Sequence, residues 1–283
     1  MREIRLSMRN FRLVLAYDGS EFHGWQVQPG LATVQGTLAD ALARITGERV
    51  LPQGSGRTDA GVHALAQVAS VALASPIPAA SLQTALNDVL PPAVRVLEAS
   101  EAPADFHARY SARAKTYRYR IYRGAICPPF LARYVYHHPY PLDEPAMLRA
   151  ASLVEGPHDF TSFAAVDPER SRTEPPGEHD KEEDREGREK ESLENQRTIF
   201  SSVWERQGEE LAYTVRGSGF LHHMVRNLVG TFLLLGKGTL DEPGLRRILE
   251  LKQRSAAGST APASGLYLVN VEYGSTPPCP PSS

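Results

Sequence analysis

Residues 54–64 read GSGRTDAGVHA, a turn in which three glycines surround Arg57 and Asp59. The nature of this turn bears on the fold, because glycine-rich phosphate loops belong to parallel α/β sheets. Gly56 and Gly61 have the spacing of a Walker loop, but Val62 and His63 follow where that loop needs Lys and then Ser or Thr. The dinucleotide fingerprint fails too, since after Gly54 and Gly56 its third glycine falls at Asp59. A carboxylate there repels a pyrophosphate, so neither device fits. By residue type Asp59 is an N-cap or a turn former. Arg57, two residues away, would also hold the carboxylate ionised. An ionised carboxylate in a partly closed site is a nucleophile toward a sugar carbon or an electron-poor ring. Residue type alone leaves both readings open.

Working outward, FRLVLAYDG (11–19) alternates like a half-buried strand running into a turn. Thr33 is placed to cap a helix over 34–46 whose apolar face carries Val34, Leu38, Leu42 and Ile45. A short strand into Pro52 and QVASVAL (67–73) flank the glycine turn, and PAASLQTALNDVL (78–90) predicts a helix stopped by Pro91-Pro92. A strand over 93–98 precedes the long alternating strand AKTYRYRIYR (114–123). A helix near 144–155 follows, then strands RTIFSSVWER and ELAYTVRG. FLHHMVRNLVGTFLLLG (220–236) predicts a largely buried helix, with a shorter one at 241–252 and a last strand at 266–274. Strands and helices recur without regular β-α-β alternation, which predicts an α+β fold of two similar halves. The expected division is residues 1–105, residues 106–274, and a proline-rich tail at 275–283.

Composition narrows the class. Of 283 residues 41% are hydrophobic, an ordinary share for a globular protein. No run reaches the ~18 apolar residues of a membrane span, and the start lacks the apolar stretch of a signal peptide. Cys127 and Cys279 form no C-x-x-C pair. A cytoplasmic protein without a disulfide framework or zinc site is expected. The formal charge of −2 hides an asymmetry: residues 167–196 carry 12 acids and 6 bases, leaving 25 bases against 21 acids elsewhere. The remaining body is mildly basic, which permits a polyanionic partner. The 167–196 segment is too polar to bury a core, so disorder or a long exposed hairpin tip is expected there.

Two further stretches carry candidate chemistry. TYRYRIY (116–122) puts Tyr117, Tyr119 and Ile121 on one strand face and Arg118, Arg120 and Tyr122 on the other. That pattern suits an aromatic core face under a basic solvent face. It equally suits a tyrosine on which a base stacks beside arginines that contact phosphates. In HHMVRN (222–227), helical spacing would turn His222 and His223 about 100° apart, which disfavours a shared metal ion. Arg226 stands in an otherwise apolar helix, where its guanidinium either meets an anion or reaches solvent along its stem.

With these segments assembled, the chain resembles the bacterial tRNA pseudouridine synthases of the TruA family. The similarity runs from about Phe11 to Tyr273 and rests on several pieces in order. These are YDGSEFHGWQ (17–26), VQGTL (34–38), GRTDAGVHA (56–64), FHARYSARAKTYRYRIY (106–122), DFTSF (159–163), FLHHMVRN (220–227) and GLYLVNVEY (265–273). The resemblance implies two α+β halves, each a mainly antiparallel sheet with packed helices, and an RNA-binding cleft between them. It implies isomerisation of uridine to pseudouridine at positions 38, 39 and 40 of the tRNA anticodon stem-loop, by a homodimer without cofactor or metal. Carried over by motif, Asp59 is the catalytic aspartate, Tyr117 packs on the target base, Arg226 is the basic partner of the aspartate, and Arg57 is associated with the flipped nucleotide. The segment between DFTSF and RTI is longer and more acidic than the family's usual one.

Overall fold

The computed structural model describes residues 8–165 and 195–274. The acidic segment from 167 to 194 and the tail 275–283 lie outside the described residues. The chain divides into two compact units, one of residues up to Lys115 together with those from Leu268 onward, the other of Thr116–Tyr267.

In the first unit, β1 (Arg9–Tyr17) lies antiparallel between β3 (His63–Leu73) and β4 (Val94–Ala102), so that Leu13 faces Ala69 on one side and Ala99 on the other. Phe11, Leu13, Leu15 and Tyr17 form its buried face, as the alternation predicts. The helix predicted after Thr33 forms as α1 (Val34–Thr46). Thr33 Oγ1 accepts the Gly36 N–H, and Val34, Leu38 and Leu42 turn inward. The short β2 (Gln53–Gly54) pairs with β3. Helix α2 (Ala79–Val89) is tied to β4 by Asn87, whose amide both donates to and accepts from the Val96 backbone. The strand order is β4-β1-β3-β10, where β10 is Leu266–Tyr273.

The second unit has the order β5-β9-β8-β7, with β5 at Ala112–Tyr122, β7 at Gly156–Asp159, β8 at Gln196–Gln207 and β9 at Glu210–Gly217. Pairing is antiparallel along β7-β8-β9, while the two-residue β6 (Tyr136–His137) runs parallel to β5. Helix α3 (Glu144–Ala151) starts at Asp143, whose carboxylate accepts the Ala146 N–H. Trp204, Tyr213 and Phe232 pack ring against ring, joining β8 and β9 to helix α4 (Met224–Gly236). Helix α5 (Glu242–Leu251) follows. The architecture is α+β with a mixed, mostly antiparallel arrangement and five helices among the described residues.

Several elements depart from expectation. The strand expected into Pro52 is instead β2, which starts one residue beyond it, and the helix expected near 144–155 ends at Ala151 before a short helical turn at Ser152–Val154. The helix predicted from Phe220 begins at Met224, because His223 takes the left-handed conformation at φ 60° and ends the turn before it.

Candidate active site

Asp59 lies on the loop between β2 and β3, half-buried, with Arg57 exposed and Thr58 buried. Despite its glycines the loop is bonded almost residue by residue. Ser55 N–H donates to Val68 O (2.7 Å), and Ser55 Oγ donates to Gln67 Oε1 (2.6 Å). Gln67 Nε2 returns a bond to Gly56 O (2.9 Å). Lys115 Nζ donates to Ser55 O (2.6 Å). Val62 N–H closes the turn onto Asp59 O (3.1 Å).

The YDGSEFHGW segment packs against the residue that precedes Asp59. Trp25 N–H donates to Thr58 O (3.0 Å), Tyr17 hydroxyl bonds Thr58 Oγ1 (2.8 Å), and Gly61 N–H donates to Phe22 O (3.2 Å). Burial pushes the Tyr17 phenol up to about 12, partly opposed by its bond to Thr58, so it stays a neutral hydroxyl. Gly24 makes the approach possible. Its φ is +85°, and a Cβ there would lie 2.6 Å from Thr58 O. The sequence shows these residues only as parts of a motif. That they form the bed of the Asp59 loop is a matter of contacts 33 to 41 positions apart, which periodicity does not register.

In the second unit Tyr117 sits on β5 with 8% exposure, its ring edge-on to Phe220 at 5.0 Å. Tyr119 and Ile121 share the buried face and Arg118 is exposed, as the alternation predicts. Tyr119 hydroxyl donates to Pro262 O (2.8 Å); burial raises its pKa, and the charge of Arg226 partly opposes that rise. Arg226 is half-buried in the first turn of α4. Its Nε donates to Ala261 O (2.7 Å), while Ala261 N–H donates to Arg226 O (3.1 Å). Ala261 thus holds Arg226 twice, its carbonyl receiving the guanidinium and its N–H bonding the Arg226 backbone.

His222 and His223 precede the helix, and their rings lie 4.0 Å apart with an interplanar angle of 32°. The helical spacing that would have turned the imidazoles apart does not apply to them. Ala165 N–H donates to His222 O (3.0 Å), which ties this turn to the end of the DFTSF segment.

A family model described as tRNA pseudouridine synthase matches residues 13–111 and again residues 176–274. A tRNA pseudouridine synthase A of Solibacter usitatus is 52% identical over 266 residues, covering 94% of this chain and 100% of its own. That of Caldicellulosiruptor bescii is 41% identical over 94% of this chain and 100% of its own. That of Latilactobacillus sakei is 42% identical over 94% and 99%.

Proposed function

This chain belongs to the tRNA pseudouridine synthase family and isomerises uridine in tRNA to pseudouridine, and we propose that it does so at positions 38, 39 and 40 of the anticodon stem-loop with Asp59 as the catalytic carboxylate. The observation that carries the reading is similarity over 94% of the chain to proteins named for this activity. The GRTDAGVHA and HHMVRN motifs lie within it.

The reaction breaks the C1′–N1 bond, turns the uracil, and joins C1′ to C5. The C5 proton leaves and N1 gains one, so atoms balance without water or a redox partner. An ionised carboxylate can act by attacking C1′, by attacking C6, or by removing a 2′ proton to give a glycal-like intermediate. Each route needs Asp59 charged and held still. The bonded loop around Thr58 and Ser55 suits the second requirement. A uracil in a stem is out of reach until its nucleotide is flipped out, at a cost of a few kcal/mol. Arg57, exposed beside Asp59, serves the flipped nucleotide. Tyr117 packs on the uracil ring and limits it to turning in plane, and Arg226 is the basic partner of the aspartate. Excluding water from the detached base prevents hydrolysis to an abasic site. We propose a cytoplasmic homodimer that needs no cofactor.

The test is to incubate the purified protein with unmodified tRNA transcripts and map pseudouridine by carbodiimide labelling and primer extension. Stops at 38, 39 and 40 alone are expected. Stops confined to another region of the tRNA would refute the anticodon assignment.

A further inference from the structure

A second arginine in the Thr116–Tyr267 unit does not enter the reaction as described. Arg254 follows α5 on the short helical turn Arg254–Ala256, half-buried, and has no carboxylate partner among the described residues. Burial lowers its pKa from the ordinary value. All its partners are neutral oxygens. Nη1 donates to Gly258 O (2.9 Å) and, at 3.5 Å, to Ala257 O. Nη2 donates to Asn227 Oδ1 (2.9 Å) and Thr260 Oγ1 (3.1 Å). A half-buried cation without an anion is costly, and four neutral oxygens around one guanidinium point to a role in geometry rather than in ion pairing.

These oxygens belong to two elements that meet here. One is the 257–261 loop, the other is α4 at the residue after Arg226. Asn227 is fully buried; its Oδ1 also accepts from Thr260 Oγ1 (2.7 Å), and its Nδ2 donates to Phe163 O (2.7 Å). The loop lies flat on the helix. Gly258 N–H donates to Thr231 Oγ1 (2.9 Å), and a Cβ on Gly230 would fall 1.8 Å from Ser259 O. The loop ends at Ala261, whose carbonyl receives Arg226 Nε and whose N–H bonds Arg226 O. Arg254 therefore fastens the loop whose last residue orients Arg226.

We propose that Arg254 is a positioning residue for the isomerisation, holding the 257–261 loop on α4 so that the Ala261 carbonyl fixes the Arg226 guanidinium. The inference rests on the reading of Arg226 given above. A lysine would reach one or two of these oxygens but cannot present the planar fork that serves several at once.

The experiment measures single-turnover tritium release from C5-labelled tRNA, with tRNA affinity, for Arg254→Met and Arg254→Lys. Each is made in the wild-type and in the Arg226→Lys background, which has no Nε for Ala261 to hold. Arg254→Met should lower the turnover rate about tenfold or more, because a misplaced charged group costs rate steeply. Its tRNA affinity should change by less than about twofold, and Arg254→Lys should recover part of the rate. In the Arg226→Lys background Arg254→Met should cost little further, since coupled residues are non-additive. Wild-type turnover by Arg254→Met, or an equal loss in both backgrounds, overturns the proposal. Full turnover by Arg226→Lys alone instead overturns the role given to Arg226.

Discussion

Gly24→Ala separates the loop's architecture from its chemistry. Gly24 stands at φ +85°, so an alanine costs about 1 kcal/mol from backbone conformation alone. The added Cβ would also meet Thr58 O at 2.6 Å and Asp59 C and Ala60 N at 3.2 Å, all backbone atoms. Ordinary carbon contact is restored only if the segments part by roughly 0.5–1 Å. That strains the 3.0 Å bond from Trp25 N–H to Thr58 O. The summed destabilisation is about 2–4 kcal/mol, toward the upper end for a point change. Thr58 precedes Asp59, so the carboxylate moves with it. A displacement of this size lowers turnover by about 10–100-fold. Gly30→Ala is the matched control: Gly30 also has positive φ, at +75°, but nothing lies within 4 Å of its Cβ position. It should lose about 1 kcal/mol and no activity. Tritium release and thermal melts on both variants decide the matter. Equal turnover in Gly24→Ala and Gly30→Ala would show that the 17–26 segment does not set the position of Asp59.

Tyr117→Phe should bind tRNA normally, since a phenyl ring still stacks, while Tyr117→Ala should lose about 1–3 kcal/mol of base packing. Equal affinity and turnover in the two variants would remove the stacking role. His138 is 3% exposed, neither ring nitrogen has a hydrogen-bond partner among the described residues, and burial, then the charges of Arg123, Lys237 and His137, lower its pKa to about 4. The unfolded chain protonates this group near 6.5 and the folded chain near 4, so folding should lose up to about 2–3 kcal/mol as pH falls through that window. His138→Phe should flatten that acid slope in the melting temperature, and parallel slopes for variant and wild type would refute the assignment. Excising residues 167–194 removes a net negative charge from a mildly basic body and should tighten tRNA binding most at low salt. A salt titration that is unchanged by the excision would show that this segment does not compete with RNA.

Where local pattern and tertiary demand agree, the sequence was readable. The buried faces of β1 and β5 follow the alternation apart from Val14 and Ala114, which are buried out of phase, and α1 begins where Thr33 announces it. The start of α4 was not readable, because no Ser, Thr, Asp or Asn stands at its cap and His223 ends the preceding turn by a positive φ that residue type does not declare. The short strands β6 and β7 are two and four residues long and carry too few positions to show a period. Nor does periodicity say which strand will be a neighbour, so nothing in LYLVNVEY indicates that residues from Leu268 onward group with the N-terminal unit. Of the candidate site, residue types gave an Arg–Asp pair on a turn and an arginine in an apolar helix. The bonds that hold them, from Trp25, Tyr17, Lys115 and Ala261, come from far along the chain.

The proposed catalytic role of Asp59 rests on its charge. Asp59→Asn keeps the side chain's size and hydrogen-bonding capacity and removes only the ionised oxygen. The measurement is tritium release from C5-labelled uridine in tRNA by the purified variant, free of host enzyme, alongside its affinity for the same tRNA. Binding of tRNA should stay within about twofold of wild type, because removing a single carboxylate leaves the phosphate contacts in place, and release should be undetectable. Near-normal release by Asp59→Asn would contradict that role.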